Sequence, residues 1–317
     1  MSNRITDLRV VALAGGVGGA KLVVGLDQLL PPGQLTAIVN TGDDFEHFGL
    51  KICPDLDTVC YSLAGMADSQ HGWGLANETW QVSRSLENLE APTWFQLGDR
   101  DLATHLERTR LLQAGLSLSE VTSHFCQLWG IHSSVLPMSD APAPTLIETR
   151  DDGILGFQEY FVREHFAPEV RTVILNGGRP AEPAADLLPA LAEADLVVIC
   201  PSNPWVSIDP ILNVSGIRPL LYSKPVIAVS PIIQGQALKG PAAKLFKELG
   251  IEPSARAVRE HYGDLLNAFM MDQLDRSASE NDTSKGIINC YTNTIMKTEE
   301  DKRQLARVVL ELGLRLG

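Results

Sequence analysis

Four glycines in five positions, Gly15-Gly16-Val17-Gly18-Gly19, precede Ala20-Lys21 near the N-terminus. Glycine lets a backbone turn sharply and approach a ligand closely, and a helix opening there offers unpaired N–H groups to an anion. A phosphate suits such a loop; a tight turn without a ligand is the competing reading. Lys21 stands where a dinucleotide fingerprint needs its third glycine, which counts against an NAD(P)-dependent oxidoreductase. Nor does Ser or Thr follow Lys21, as a P-loop requires.

Two acid-bearing loops come next, Asn40-Thr41-Gly42-Asp43-Asp44 and Cys53-Pro54-Asp55-Leu56-Asp57-Thr58. Carboxylates gathered beside a phosphate repel it unless a cation intervenes, and Mg²⁺ is commonly held by one or two carboxylates together with phosphate oxygens. Asp43 and Asp57 are the leading metal ligands, with Asp44 and Asp55 behind them; helix capping, for instance by Asp57 ahead of residues 58–63, is the alternative. In a third cluster, Leu97-Gly98-Asp99-Arg100-Asp101-Leu102-Ala103-Thr104-His105, either Arg100 or His105 reaches a phosphate or leaving group, or the charges form a solvated helix start. Ser202 and Asn203, in Pro201-Ser202-Asn203-Pro204, are placed to hydrogen-bond a base or ribose, although Ser, Asn and Pro are turn residues in any case. No Ser-His-Asp or Cys-His arrangement suggests covalent catalysis, and the seven His lack metal-ligand spacing.

The elements that must position these loops alternate. Apolar runs at 9–14, 35–40, 171–175, 195–200, 225–229, 266–271 and 287–291 read as strands, several apolar at consecutive positions as in a parallel sheet covered on both faces. Helical patterns fall at 21–30, 118–129, 183–193, 242–249, 254–262 and 299–316. Ser117 with Glu120, and Thr298 with Asp301, carry helix-start spacing. The expected fold class is α/β, a Rossmann-like doubly wound and mostly parallel sheet, in which ligands bind outside the carboxyl ends of the strands. Residues 1–65 and 167–317 form the expected core. Residues 66–166 read as a smaller, mainly helical inserted subdomain with a hairpin, 145–149 and 154–162 around a turn at Asp151-Asp152-Gly153. The polar stretch 276–285 reads as a mobile loop, and Lys239-Gly240-Pro241-Ala242 as a helix start.

Composition bounds the function. The chain has 317 residues and a formal net charge of −13, unsuited to nucleic acid but compatible with a small phosphorylated ligand. No apolar run approaches the length of a membrane span and the start lacks a secretory pattern. Five Cys without Cys-x-x-Cys spacing read as reduced thiols, so the expected setting is the cytoplasm.

Seven motifs in fixed order carry a resemblance: the glycine loop through Lys21, residues 40–44, Pro54-Asp55-Leu56-Asp57-Thr58-Val59, Leu97-Gly98-Asp99-Arg100-Asp101, Leu136-Pro137-Met138-Ser139-Asp140, Pro201-Ser202-Asn203-Pro204 and Ser230-Pro231-Ile232-Ile233. The chain resembles the 2-phospho-L-lactate transferase family (CofD/FbiA) of coenzyme F420 biosynthesis over nearly its whole length. The resemblance implies transfer of a phospholactyl or enolpyruvyl-phosphoryl group from its guanosine diphosphate ester to the terminal ribityl hydroxyl of the 5-deazaflavin Fo, releasing GMP. It also implies Mg²⁺ on the two Asp loops, with Asp43 or Asp57 orienting or deprotonating the acceptor, and Arg100 as a third catalytic residue. The donor nucleotide would lie on Gly15–Gly19, Lys21 and the Ser202-Asn203-Pro204 segment, with Asn40, Thr41 and Asp99 also at the substrates and Gln96 in place of an archaeal basic residue near the deazaflavin. Relatives of this kind are homodimers. The rival readings are a nucleotide-sugar-binding regulator of the same superfamily, which would not need the two Asp loops and Leu-Gly-Asp-Arg-Asp together, and the oxidoreductase already disfavoured.

Overall fold

The computed structural model describes residues 5–68, 73–237, 242–276 and 286–316. Residues 239–241 and 277–285, expected to hold a helix start and most of a mobile loop, lie outside them.

Seven strands form one parallel sheet: β1 (Val10–Ala14), β2 (Leu35–Val39), β3 (Ser134–Pro137), β4 (Leu196–Ile199), β5 (Val226–Val229), β6 (Ala268–Asp272) and β7 (Ile288–Thr292). Their spatial order is β3-β2-β1-β4-β5-β6-β7, every neighbouring pair parallel. That is the Rossmann order with one strand added at the far edge. Strand β1 shows why the sequence folds this way: all five of its residues are buried. Val10, Ala12 and Ala14 pack on one face, and Val11 and Leu13 on the other, because successive side chains of a strand point to opposite sides.

The first face is covered by α1 (Gly16–Asp27), α2 (Pro54–Leu63), α4 (Leu118–Leu128) and α5 (Glu299–Leu316), with α3 (Asp99–Gln113) packed outside them. The second face is covered by Leu187–Glu193, Ala242–Glu248 and Ala255–Tyr262. Both expected helix starts form. The Ser117 hydroxyl accepts the Glu120 N–H while the Glu120 carboxylate accepts the Ser117 N–H, and Thr298 with Asp301 does the same. All five cysteines are free, with Cys60 Sγ and Cys126 Sγ 3.9 Å apart. Among the described residues no helix is long and apolar enough to cross a membrane.

Two strands fall elsewhere than expected. Ser134–Pro137, inside the span 66–166, is the edge strand of the main sheet and pairs along β2 from Thr36↔Ser134 to Val39↔Pro137. Conversely, Val170–Ile174 leaves the main sheet and pairs antiparallel with Leu146–Thr149, which also pairs with Ile154–Gly156. Its burial differs from that of the strands covered on both faces: Val170 is buried, Arg171 and Thr172 are exposed, and the pairing with Leu146–Thr149 carries an irregularity at Glu148/Thr149. The hairpin's second strand ends at Gly156, because residues 159–163 turn helically and stack Phe157 on Phe161, ring centroids 5.7 Å apart.

Candidate active site

The strand order reverses between β1 and β4, and the carboxyl ends of strands at such a switch point are where open α/β sheets bind ligands. Ser202 ties the loops after these two strands together: its Oγ accepts the Gly15 N–H (3.2 Å) and donates to the Gly15 carbonyl (2.8 Å). Gly16 adopts φ +63°, a left-handed turn that glycine makes without strain, and opens α1 together with Val17, Gly18 and Gly19. The other glycines answer to packing as well as to any ligand, since a Cβ on Gly18 would lie 2.4 Å from the Pro201 carbonyl oxygen. The Gly16 N–H donates to Asp55 Oδ1 at 2.6 Å, so a carboxylate of the protein itself sits on this helix start. Lys21 Nζ donates to the Met296 carbonyl (2.8 Å), and Asn203 Oδ1 accepts the Trp205 N–H at the helical turn begun by Pro204.

Asp43 and Asp55 meet across Asn40. Asn40 Nδ2 donates to Asp55 Oδ2 (2.9 Å), to Asp43 Oδ1 (3.3 Å) and to the Val206 carbonyl (3.3 Å), while its Oδ1 accepts the Gly42 N–H (2.8 Å). Gln158 Nε2 donates to Asp43 Oδ2 at 2.9 Å. Burial, with repulsion from Asp55 and Asp44, raises the Asp43 carboxyl well above the ordinary range, and burial lifts Asp55 to about 6. Close by, the hydroxyls of Thr41 and Thr145 are buried without a hydrogen-bond partner. Asp44 is also raised by burial, against the opposing pull of Lys51, whose Nζ stands 3.2 Å from its carboxylate.

Asp57 is elsewhere. The chain turns helical already at Pro54, so both acids of the second loop lie in the first turn of α2 rather than ahead of it. At about 100° per residue, positions two apart point to nearly opposite sides of a helix. Asp55 therefore faces Asn40 and Asp57 faces α3, where Arg108 grips both of its carboxylate oxygens. His105 continues the chain, with Nδ1 3.8 Å from Asp57 and Nε2 3.3 Å from Asp101, which also accepts the Tyr61 hydroxyl at 2.6 Å. Arg108 is 3% exposed. Burial raises Asp57, and Arg108 and His105 pull the other way. The structure thus joins Asp43 to Asp55, not to Asp57. Ligand atoms of Asp57, Asp101 and His105 do converge within 4.8 Å, a grouping the sequence reading missed, although Asp101 and His105 carry part of its signal in their helical i, i+4 spacing.

Leu97-Gly98-Asp99-Arg100-Asp101 forms a reciprocal cap. Asp99 accepts the Thr79 hydroxyl and the N–H groups of Gln81 and Val82, while Glu78 accepts those of Arg100 and Asp101. The exposed Arg100 guanidinium donates to the Ala76 carbonyl. These contacts hold residues 76–82 and do not bring Asp99 or Arg100 onto the glycine loop or Asp43. Gln96 is exposed beside Phe95, which packs edge-on to Phe45 at 4.8 Å. A cavity of about 250 Å³ opens here, walled by Asp43, Asp44, Phe45, Trp94, Thr145 and Gln158.

The pattern that defines the family "2-phospho-L-lactate transferase CofD" matches residues 10–310. A phosphoenolpyruvate transferase of Streptomyces griseus is 42% identical over 96% of this chain and 98% of its own length. A 2-phospho-L-lactate transferase of Methanosarcina acetivorans is 40% identical over the same shares of the two chains. The fold is also that of a UPF0052 family protein from Bacillus halodurans, with a TM-score of 0.62 at 14% identity over 95% of this chain and 98% of that one. With its parallel sheet, the switch in strand order beside the glycine loop and a match over almost its entire length, the chain belongs to the CofD family of 2-phospho-L-lactate transferases.

Proposed function

We propose that the protein transfers a phosphoryl-linked three-carbon acid, phospholactyl or enolpyruvyl-phosphoryl, from its guanosine diphosphate ester to the terminal ribityl hydroxyl of Fo. The hydroxyl oxygen bonds to the acid-bearing phosphorus, the pyrophosphate bridge breaks, GMP leaves and the hydroxyl proton passes to a base. The observation that carries the reading is the full-length family match, shared by relatives named for each of the two acids.

The chain's share of the work is positioning and charge. The nucleotide would lie against the glycine loop and the Ser202 loop that is bonded to it, and a ligand phosphate at Gly16 would replace the Asp55 carboxylate. Asp43 faces the cavity and is the candidate to orient or deprotonate the acceptor hydroxyl; the aromatic rim of Phe45 and Trp94 suits a planar ring. The donor set around Asp43 is all oxygen and includes the orphaned hydroxyls of Thr41 and Thr145, which fits Mg²⁺. Bound there, Mg²⁺ would offset the negative charge of the pyrophosphate. Asp43 and Asp55 are the acids placed to hold it; Asp57 would have to leave Arg108 to do so. A cytoplasmic homodimer completes the reading, and light scattering tests its stoichiometry.

Incubation with Fo, Mg²⁺ and each guanylyl donor in turn tests the reaction. Mass spectrometry should find GMP together with F420-0 or dehydro-F420-0, and the productive donor identifies the acid. No turnover with either donor would leave a nucleotide-binding role without this chemistry.

A further inference from the structure

Asp43 is held by a side chain from outside the parallel sheet. Gln158 follows the hairpin strand Ile154–Gly156, is 7% exposed, and donates Nε2 to Asp43 Oδ2, while Asn40 serves Oδ1. Its backbone is fixed from several directions. The Phe157 N–H donates to the Thr145 carbonyl (3.2 Å), the Gly156 N–H to Glu159 (3.0 Å), and Phe157 stacks on Phe161. The same segment is stitched to the acid loop a second time, by the Thr145 N–H on the Gly42 carbonyl (2.5 Å). Gly42 permits that approach, since a Cβ there would lie 2.3 Å from Thr145 Oγ1.

From this geometry we infer that Gln158 is a positioning residue for Asp43, fixing the plane of its carboxylate against the cavity without cancelling its charge. A Lys or Arg at this point would orient the carboxylate equally well but neutralise it; an amide supplies direction alone. Reaction geometry then depends on the small antiparallel sheet being docked on the core, since Gln158 arrives only with it. The inference rests on the reading of Asp43 as a working acid.

The test uses the full chain with Gln158→Leu, which keeps the bulk and removes both donors, and Gln158→Met should the first fail to fold. Removing a hydrogen bond to a charged group should lower kcat about 10- to 100-fold, with KM for the donor little changed and the melting temperature lowered by a few degrees, a loss that Asp43→Asn in the same chain should largely relieve. Mn²⁺ affinity, read by electron paramagnetic resonance, should fall in Gln158→Leu and in Asp43→Asn, but no further in the double variant, because Gln158 acts through Asp43. Additive losses in the double variant, or a lowered melting temperature with unchanged kcat and Mn²⁺ affinity, would overturn the inference and leave Gln158 as interdomain glue. Full activity in Asp43→Asn would instead remove the reading on which it rests, a separate outcome.

Discussion

Two pairs of buried carboxylates, each with one acid from the 40–44 loop and one from the start of α2, are held by different kinds of partner. Asp43 and Asp55 are oriented by neutral donors: the amides of Asn40 and Gln158 and the N–H of Gly16. Asp57 and Asp44 face cations, Arg108 and Lys51. A buried carboxylate bonded only to neutral groups keeps a net charge that a cation or a proton can satisfy. One bonded bidentately to a guanidinium has already been neutralised, and what it supplies is attachment between elements. In the function proposed above, the first set is the one that does the reaction's work. The second joins α2 to α3 and the acid loop to Lys51. Proximity in sequence hides this, since Asp55 and Asp57 are separated by a single residue.

The largest effect is expected at Arg108. Arg108→Met strands the Asp57 charge in the interior and should cost about 3–5 kcal/mol of stability, the usual penalty for removing one partner of a buried pair. Adding Asp57→Leu should restore much of that loss in a denaturant midpoint. A single variant as stable as the wild type would show that Asp57 does not depend on its cation. Asp43→Asn should do the opposite, lowering turnover about 10²- to 10⁴-fold while the melting temperature stays near that of the wild type. On the same logic, Asp57→Asn is expected to weaken the fold, since it leaves Arg108 without its carboxylate.

Smaller effects sharpen the picture. Gly18→Ala drives a methyl group into the Pro201 carbonyl and should cost about 1–3 kcal/mol, measurable by urea denaturation. No change there would mean the two loops are not pressed together. A pH effect follows from Asp55, whose folded pKa of about 6 lies above its unfolded value of about 3.9. A raised carboxylate pKa means that the folded state binds the proton more tightly, so this group's contribution to stability falls as pH rises between about 4 and 6 and stays low above. Mg²⁺ should therefore raise the melting temperature more at pH 8, where Asp55 is ionised, than at pH 5. Equal shifts at both pH values would separate the cation from Asp55.

Much of the fold was legible because parallel strands announce themselves. Runs such as Val10–Ala14, buried on both faces, and the capping pairs Ser117/Glu120 and Thr298/Asp301 are local signals. Strand β3 was not legible: four residues, Ser134–Pro137, carry too little pattern to stand out from their surroundings. The glycine loop and the acid loops were visible as motifs, and their gathering at the strand ends follows from topology. Their pairing did not, because it turned on where α2 begins. Pro54, at the first helical position, was the available sign that Asp55 and Asp57 would be rotated apart. Gln158 and Arg108 had no sequence signal tying them to particular acids. Their contacts span 115 and 51 residues, and only the folded chain brings them together.

The most direct test of this division is calorimetric titration of Mg²⁺ into the wild type, Asp43→Asn and Asp57→Asn, each corrected for the folded fraction. Affinity should drop at least about tenfold in Asp43→Asn, the effect of about 1.4 kcal/mol, and remain at the wild-type value in the folded Asp57→Asn protein. The reverse pattern, with Asp57→Asn losing the cation and Asp43→Asn keeping it, would contradict the account and place the cation beside Asp101 and His105.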